Sequence, residues 1–383
     1  MEKIAVLFAP GFEESEALTA VDVLRRANLE VESVGVGGAE ITGAHGITIR
    51  TDTTLEQVSE AELSMLVAPG GWGGVENMAK SEGVIALFRQ MQAADKWTCA
   101  ICAGPFVLFK AGILEGKRYT CYPGVEKDIS AGTFCNELVV RDGKVITAPG
   151  PATAYAFAYA LVDAMGGDSL AVKNRMVYFN AFAEGTSPEP EILLGEPRPD
   201  AKVAVLMKEG FEEGETFSIV DILRRVNIPC DTFYFDRPWV KGMHGMYLKA
   251  DEPFPGDIED YSVVVLPGGR PGGANLAADP AVLDLLRRWN TLPGKYLSAL
   301  CSGTTVLAAA GVIEGKRMTG YTGYAAKLPG AVFVENVAVA DQNLVTSQGP
   351  ATGYPFAYKL AETLGVDTAE VRGRMLYAFA GGK

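Results

Sequence analysis

The chain repeats itself at a fixed distance along its 383 residues, and a fold that must be built twice leaves few architectures open. Val21-Asp22-Val23-Leu24-Arg25-Arg26 returns 199 positions later as Val220-Asp221-Ile222-Leu223-Arg224-Arg225. Gly11-Phe12-Glu13-Glu14, Glu115-Gly116-Lys117-Arg118 and Gly150-Pro151-Ala152-Thr153 return at the same spacing, and Cys102 returns as Cys301. One short indel sets Pro69-Gly70-Gly71 against Pro267-Gly268-Gly269, after which the register recovers. Two copies of one domain are therefore expected, at residues 1–183 and 201–383. A proline- and acid-rich linker with little periodicity is expected at 184–200.

Each copy alternates strand and helix patterns. Residues 4–9 form a continuous apolar run suited to a parallel strand buried on both faces, and 13–27 carry apolar residues at helical spacing. Further strands are expected at 31–36, 47–51, 63–68 and 98–102, and a helix at 84–93. A hairpin is expected around Asp142-Gly143, and a core helix at 152–165. This order predicts an α/β fold with a doubly wound, mostly parallel sheet, whose ligands lie at the carboxyl ends of its strands.

In both copies one buried strand runs into a cysteine, a small-residue turn and a helix: Ile101-Cys102-Ala103-Gly104-Pro105 and Leu300-Cys301-Ser302-Gly303-Thr304. That is the pattern of a nucleophile elbow. A helix start just behind the sulfur is expected to favour the thiolate. Gly70-Gly71 after a middle strand would bring backbone N–H groups close to a bound oxygen. With the N–H past the cysteine, this makes Gly71 with Ala103, and Gly269 with Ser302, candidate oxyanion donors.

Glu13 and Glu14 open a helix, where solvated capping is their expected role. Glu16 falls on the inward stripe of that helix, four residues before Ala20 and eight before Leu24, with Glu215 as its counterpart. A carboxyl held beside a thiol has a raised pKa and can exchange a proton with it. Cys99 reads as a packing cysteine because the repeat has Ser298 there, and Cys121 and Cys135 face Gly320 and Val334. His45 and His244 obey the repeat, and each precedes a glycine. They are expected in loops that line a site.

Bulk properties narrow the partners. The formal charge of −13 disfavours nucleic acid and anionic membrane, and no apolar run approaches the ~18 residues of a span. A cytoplasmic protein acting on small molecules is expected. With only two histidines, His-based triads and zinc sites have almost nothing to draw on, and no metal or cofactor is expected.

The Gly-Phe-Glu-Glu-x-Glu loop, the Pro-Gly-Gly turn and the Ile-Cys-Ala-Gly-Pro elbow together resemble the ThiJ/PfpI superfamily. The resemblance is strongest to its branch of Parkinson-disease protein deglycase and tandem plant glyoxalases. It implies a flavodoxin-like sandwich, akin to class I glutamine amidotransferases, with Cys102–Glu16 and Cys301–Glu215 as thiolate and carboxyl partners. Where many members place a histidine after the elbow helix, this chain has Tyr122 and Tyr321, which argues against a peptidase. Together with His45 and His244 these tyrosines are candidate pocket residues. The family's dimers imply an intramolecular pseudo-dimer of the two halves, with His45 near Cys301 and His244 near Cys102.

The resulting expectation is a cofactor-independent glyoxalase that turns methylglyoxal or a related 2-oxoaldehyde into the 2-hydroxy acid. A redox-sensing or holdase stress protein whose cysteine is oxidised, and a protein deglycase, are the alternatives.

Overall fold

The computed structural model describes residues 3–182 and 200–382, so the expected linker lies outside the described residues except for Asp200. The chain forms two compact units, and each holds a seven-stranded sheet.

The sheet strands of the first unit are β1 (Lys3–Phe8), β2 (Val31–Gly35), β3 (Thr53–Thr54), β4 (Leu63–Ala68), β5 (Trp97–Ile101), β6 (Val140–Asp142) and β7 (Val145–Ala148). Their order is β6-β7-β5-β4-β1-β2-β3. All neighbours are parallel except the β6–β7 hairpin. Its helices are α1 (Glu14–Arg26), α2 (Trp72–Lys80), α3 (Glu82–Ala93), α4 (Pro105–Lys110) and α5 (Ala154–Ala164).

The apolar run of β1 is explained by cover on both faces. Ala5 and Leu7, with Leu66 and Ala100, pack against α2, α3 and α4 through Val75, Met78, Phe88, Met91 and Val107. Ile4, Val6 and Phe8 are equally buried on the face where α1 and α5 pack on each other. Each such fully buried side chain contributes ~1.5–3 kcal/mol of hydrophobic stabilisation.

The second unit repeats the plan with β8 (Val203–Leu206), β9 (Cys230–Tyr234), β10 (Glu252–Pro253), β11 (Val263–Leu266), β12 (Tyr296–Leu300), β13 (Ala338–Asp341) and β14 (Leu344–Ser347). Their order is β10-β9-β8-β11-β12-β14-β13. The helices are α6 (Glu213–Arg225), α7 (Gly272–Ala277), α8 (Pro280–Trp289), α9 (Thr304–Ala310) and α10 (Gly353–Thr363). The two tandem α/β domains with mostly parallel sheets are as the sequence predicts.

Two local readings change. Residues 48–50 form a strand, but it pairs antiparallel with Glu40–Thr42 and lies outside the seven-stranded sheet. Helix α2 was not legible, because Gly73 and Gly74 are poor helix formers. Tertiary bonds hold it instead: Asn77 Nδ2 donates to Pro10 O at 2.9 Å, and Gly74 N to Gly11 O at 3.0 Å.

The compact units divide the chain at other places than 1–183 and 201–383. The first comprises 1–172 and 372–383, and the second 173–371. In the second, Tyr321 Oη donates to Arg175 O at 2.9 Å and Asn180 Nδ2 to Gln348 Oε1 at 2.7 Å. In the first, Ala152 N donates to Met375 O at 2.9 Å and Tyr122 Oη to Arg374 O at 3.0 Å. Each unit thus takes its final segment from the other repeat. Met375→Ala, at a fully buried side chain, is expected to cost the first unit roughly 2–5 kcal/mol. Hydrogen exchange should then show protection lost in β1, β4 and β5 but not in β8, β11 and β12; the reverse pattern would refute the assignment.

Candidate active site

Three loops meet at the carboxyl edge of each sheet: the one after β1, the Pro-Gly-Gly turn after β4, and the elbow after β5. The elbow holds its cysteine in a left-handed conformation, with φ 64° at Cys102 and 53° at Cys301. For a non-glycine residue this strain marks a side chain held in place by its surroundings. Cys102 is anchored on both sides, by its N–H to Ala148 O and by Tyr122 N–H to its own carbonyl, each at 2.9 Å.

Glu16 emerges from the first turn of α1 fully buried, as its place on the inward stripe implies. Its Oε2 accepts the Gly70 N–H at 2.7 Å, and its carboxyl hydrogen-bonds the Cys102 thiol. Glu215 repeats both contacts, with Gly268 N–H at 2.6 Å and with Cys301. Only glycine fits at position 70: an added Cβ would lie 2.5 Å from Glu16 Oε2 and 2.6 Å from Cys102 Cβ. The carboxyl and the thiol both pack against this one glycine.

The electrostatics differ from the sequence expectation. Burial pushes the Cys102 thiol well above its ordinary range, and the Glu16 and Glu13 carboxylates push it the same way. Only the Ala103 N–H pulls it down. Cys301 behaves alike with Glu215, Glu212 and Ser302. The helix behind the sulfur does not prevail, because it is short, Pro105–Lys110 in one unit and Thr304–Ala310 in the other. A thiolate in contact with a buried carboxylate is unfavourable, which is why both acids push the thiol in the same direction as burial does.

The remaining candidates fall into place around this pair. Gly71, at φ 81°, and Ala103 follow Gly70 and Cys102 directly, as Gly269 and Ser302 do in the second unit. The Gly70 N–H itself is committed to Glu16. Tyr122 adjoins the site through its backbone N–H, and the Tyr122 and Tyr321 hydroxyls are bonded to Arg374 O and Arg175 O. Glu14 is not a solvated cap. It is buried and clamps the loop at 43–47, accepting from His45 N at 2.7 Å and facing His45 Nδ1 at 3.0 Å. Glu213 holds His244 likewise, at 2.8 and 3.3 Å. Cys99 is buried packing, as its lone occurrence in the repeat suggested. Sequence reasoning missed the proximity of Glu13 and Glu212 to the thiols, since helix-start position alone does not reveal which acid turns inward.

The sequence pattern of the DJ-1/PfpI family matches twice, over residues 2–164 and 201–363. The chain belongs to the DJ-1/PfpI family. It is similar over both halves to protein DJ-1 homolog B of Arabidopsis thaliana, at 28% identity over 369 residues, spanning 94% of this chain and 84% of the relative. A deglycase of Pyrococcus horikoshii is 34% identical over 157 residues, which is 40% of this chain and 94% of that protein. The crystal structure of DJ-1beta of Drosophila melanogaster is 36% identical, covers 45% of this chain and 95% of that one, and has a TM-score of 0.44.

Removing the charge beside the sulfur tests the pair. Glu16→Gln is expected to lower the pH midpoint of Cys102 alkylation by iodoacetamide, with burial still holding it above the ordinary thiol range. An unchanged midpoint, followed by peptide mass spectrometry, would show that no carboxylate charge acts on the thiol.

Proposed function

We propose that each unit is a cofactor-independent glyoxalase centre acting on small 2-oxoaldehydes. The observation that carries this reading is the duplicated convergence of a cysteine thiol, buried at Cys102 and half-buried at Cys301, and a fully buried carboxyl on one glycine.

The sulfur of Cys102 or Cys301 adds to the aldehyde carbon, and the thiol proton passes to the former aldehyde oxygen, giving a hemithioacetal. The N–H groups of Gly71 and Ala103, or Gly269 and Ser302, stabilise the oxyanion as it forms. The Glu16 or Glu215 carboxylate takes the proton from the carbon now bonded to sulfur, and the hydroxyl proton on the first oxygen passes to the second, giving an enediolate. The same carboxyl returns the proton to the neighbouring carbon, leaving a thioester of the 2-hydroxy acid. Water cleaves the thioester and restores the thiol. One carbon is oxidised while its neighbour is reduced, so the sequence balances with water as the only co-reactant.

The name of the Pyrococcus relative supports a second reading, deglycase activity, which begins with a similar adduct on the same cysteine. The tandem organisation is consistent with an intramolecular pseudo-dimer, and a small-molecule substrate in the cytoplasm remains part of the proposal. No helix among the described residues is long and apolar enough to cross a membrane.

Cys102→Ala combined with Cys301→Ala is expected to abolish lactate formation from methylglyoxal, whereas each single variant keeps the activity of the other centre. Turnover by the double variant at the wild-type rate would overturn the proposal. Release of free amine from a methylglyoxal-treated peptide, without lactate from methylglyoxal itself, would move the reading to the deglycase.

A further inference from the structure

The repeat gives each position a control in the other half, and around the two cysteines the residues differ in charge and polarity. In the second unit a cavity of ≈ 390 Å³ is lined by Gly269, Arg270, Ser302, Thr305, Tyr324 and Lys327, with Pro271 and Ala274. Gly269 and Ser302 belong to the turns that flank Cys301, so the cavity adjoins the sulfur. The Arg270 guanidinium is hydrogen-bonded to the Tyr324 hydroxyl and lies within electrostatic reach of Cys301. The Lys327 ammonium sits 3.9 Å from the centroid of the Tyr324 ring. Two cations line the space, and none of its lining residues is an acid.

The repeat register places different residues at these positions in the first half. Trp72 stands for Arg270, Glu76 for Ala274, Phe106 for Thr305, Val125 for Tyr324 and Asp128 for Lys327. The Trp72 and Phe106 rings lie 5.9 Å apart, and Trp72 is 47% exposed. Both cations are gone from these positions and two acids have entered, while Lys110, whose counterpart is Ala309, lies 5.0 Å from the centroid of the Phe106 ring. The cysteine, the glutamate and the Gly-Gly turn are retained in both halves, so the divergence is confined to what surrounds the reacting atoms.

We propose that the second unit carries an anion subsite beside Cys301, formed by Arg270 with Lys327, which receives the carboxylate or phosphate group of a 2-oxoaldehyde substrate. The first unit takes neutral substrates against Trp72 and Phe106. A guanidinium presents several N–H donors in one plane, and one of its bonds fixes it to Tyr324 while others remain for a planar carboxylate or a phosphate face. At the repeat-equivalent positions Asp128 would repel such a group from Cys102, while Glu76 is ion-paired with Lys80 at 3.2 Å. The assignment rests on the reading of Cys301 as a nucleophile that meets its substrate in this cavity.

The two cysteines can be compared within one chain by alkylating the full-length protein with iodoacetate or with iodoacetamide and measuring each site by peptide mass spectrometry. The reagents react alike but differ in charge. The iodoacetate-to-iodoacetamide rate ratio is expected to be about tenfold higher at Cys301 than at Cys102, as one charge-assisted hydrogen bond implies. Arg270→Met should bring the Cys301 ratio down to the Cys102 value, Arg270→Lys should keep most of it, and Trp72→Arg should raise the Cys102 ratio. Equal ratios in the wild type, or a Cys301 ratio insensitive to Arg270→Met, would overturn the subsite. Protection of Cys301 from iodoacetamide by inorganic phosphate or by malonate identifies which anion it prefers, and protection by neither also overturns it. These readouts need no turnover, so a failed lactate assay would sink the glyoxalase reading without deciding the subsite.

Discussion

A carboxyl and a thiol buried against each other can keep only one full negative charge between them, and much of each unit serves to hold that pair together. The Gly70 and Gly268 amides fix the carboxyl, the left-handed cysteine fixes the sulfur, and a side chain at either glycine would collide with both groups. The carboxyl of the pair is fully buried in both units, so water does not reach that side of it. A low dielectric makes the position of one proton chemically consequential, because each group's protonation sets the other's.

The duplicated architecture separates what this chemistry needs from what it tolerates. Cysteine, inward glutamate, glycine turn and a second acid at the helix start occur in both halves with nearly superposable bond lengths. Rim positions do not share this constancy, and Trp72 against Arg270 is the sharpest contrast. Such a division is expected where reaction geometry tolerates little displacement while substrate walls can vary freely.

Much of this was legible in the residues themselves. The continuous apolar run of β1 announced a strand buried on both faces, and the spacing of Glu16 from Ala20 and Leu24 announced an inward carboxyl. Position 99 could be dismissed because its counterpart is Ser298. What escaped depends on contacts between distant segments. Glu14 looked like a cap because local sequence cannot show the loop at 43–47 folding over it, and the two glycines of α2 hid a helix fixed by bonds to residues 10 and 11. The thiol was expected to ionise easily since a helix start is visible in sequence, whereas the extent of burial that opposes it is not.

The exchange of final segments bears on how the molecule is made. The first unit precedes the second over most of its length, yet it needs Met375 against Ala152 and Arg374 against Tyr122 to be whole. Its sheet and most of its core can form early, but the elbow that carries Cys102 is left without these neighbours until the second unit has been synthesised. The second unit draws its borrowed residues, 173–182, from chain already synthesised, and can be completed before residues 372–383 emerge. The half that emerges first is therefore the half finished last, and until residues 372–383 emerge the chain would carry one incomplete thiol site.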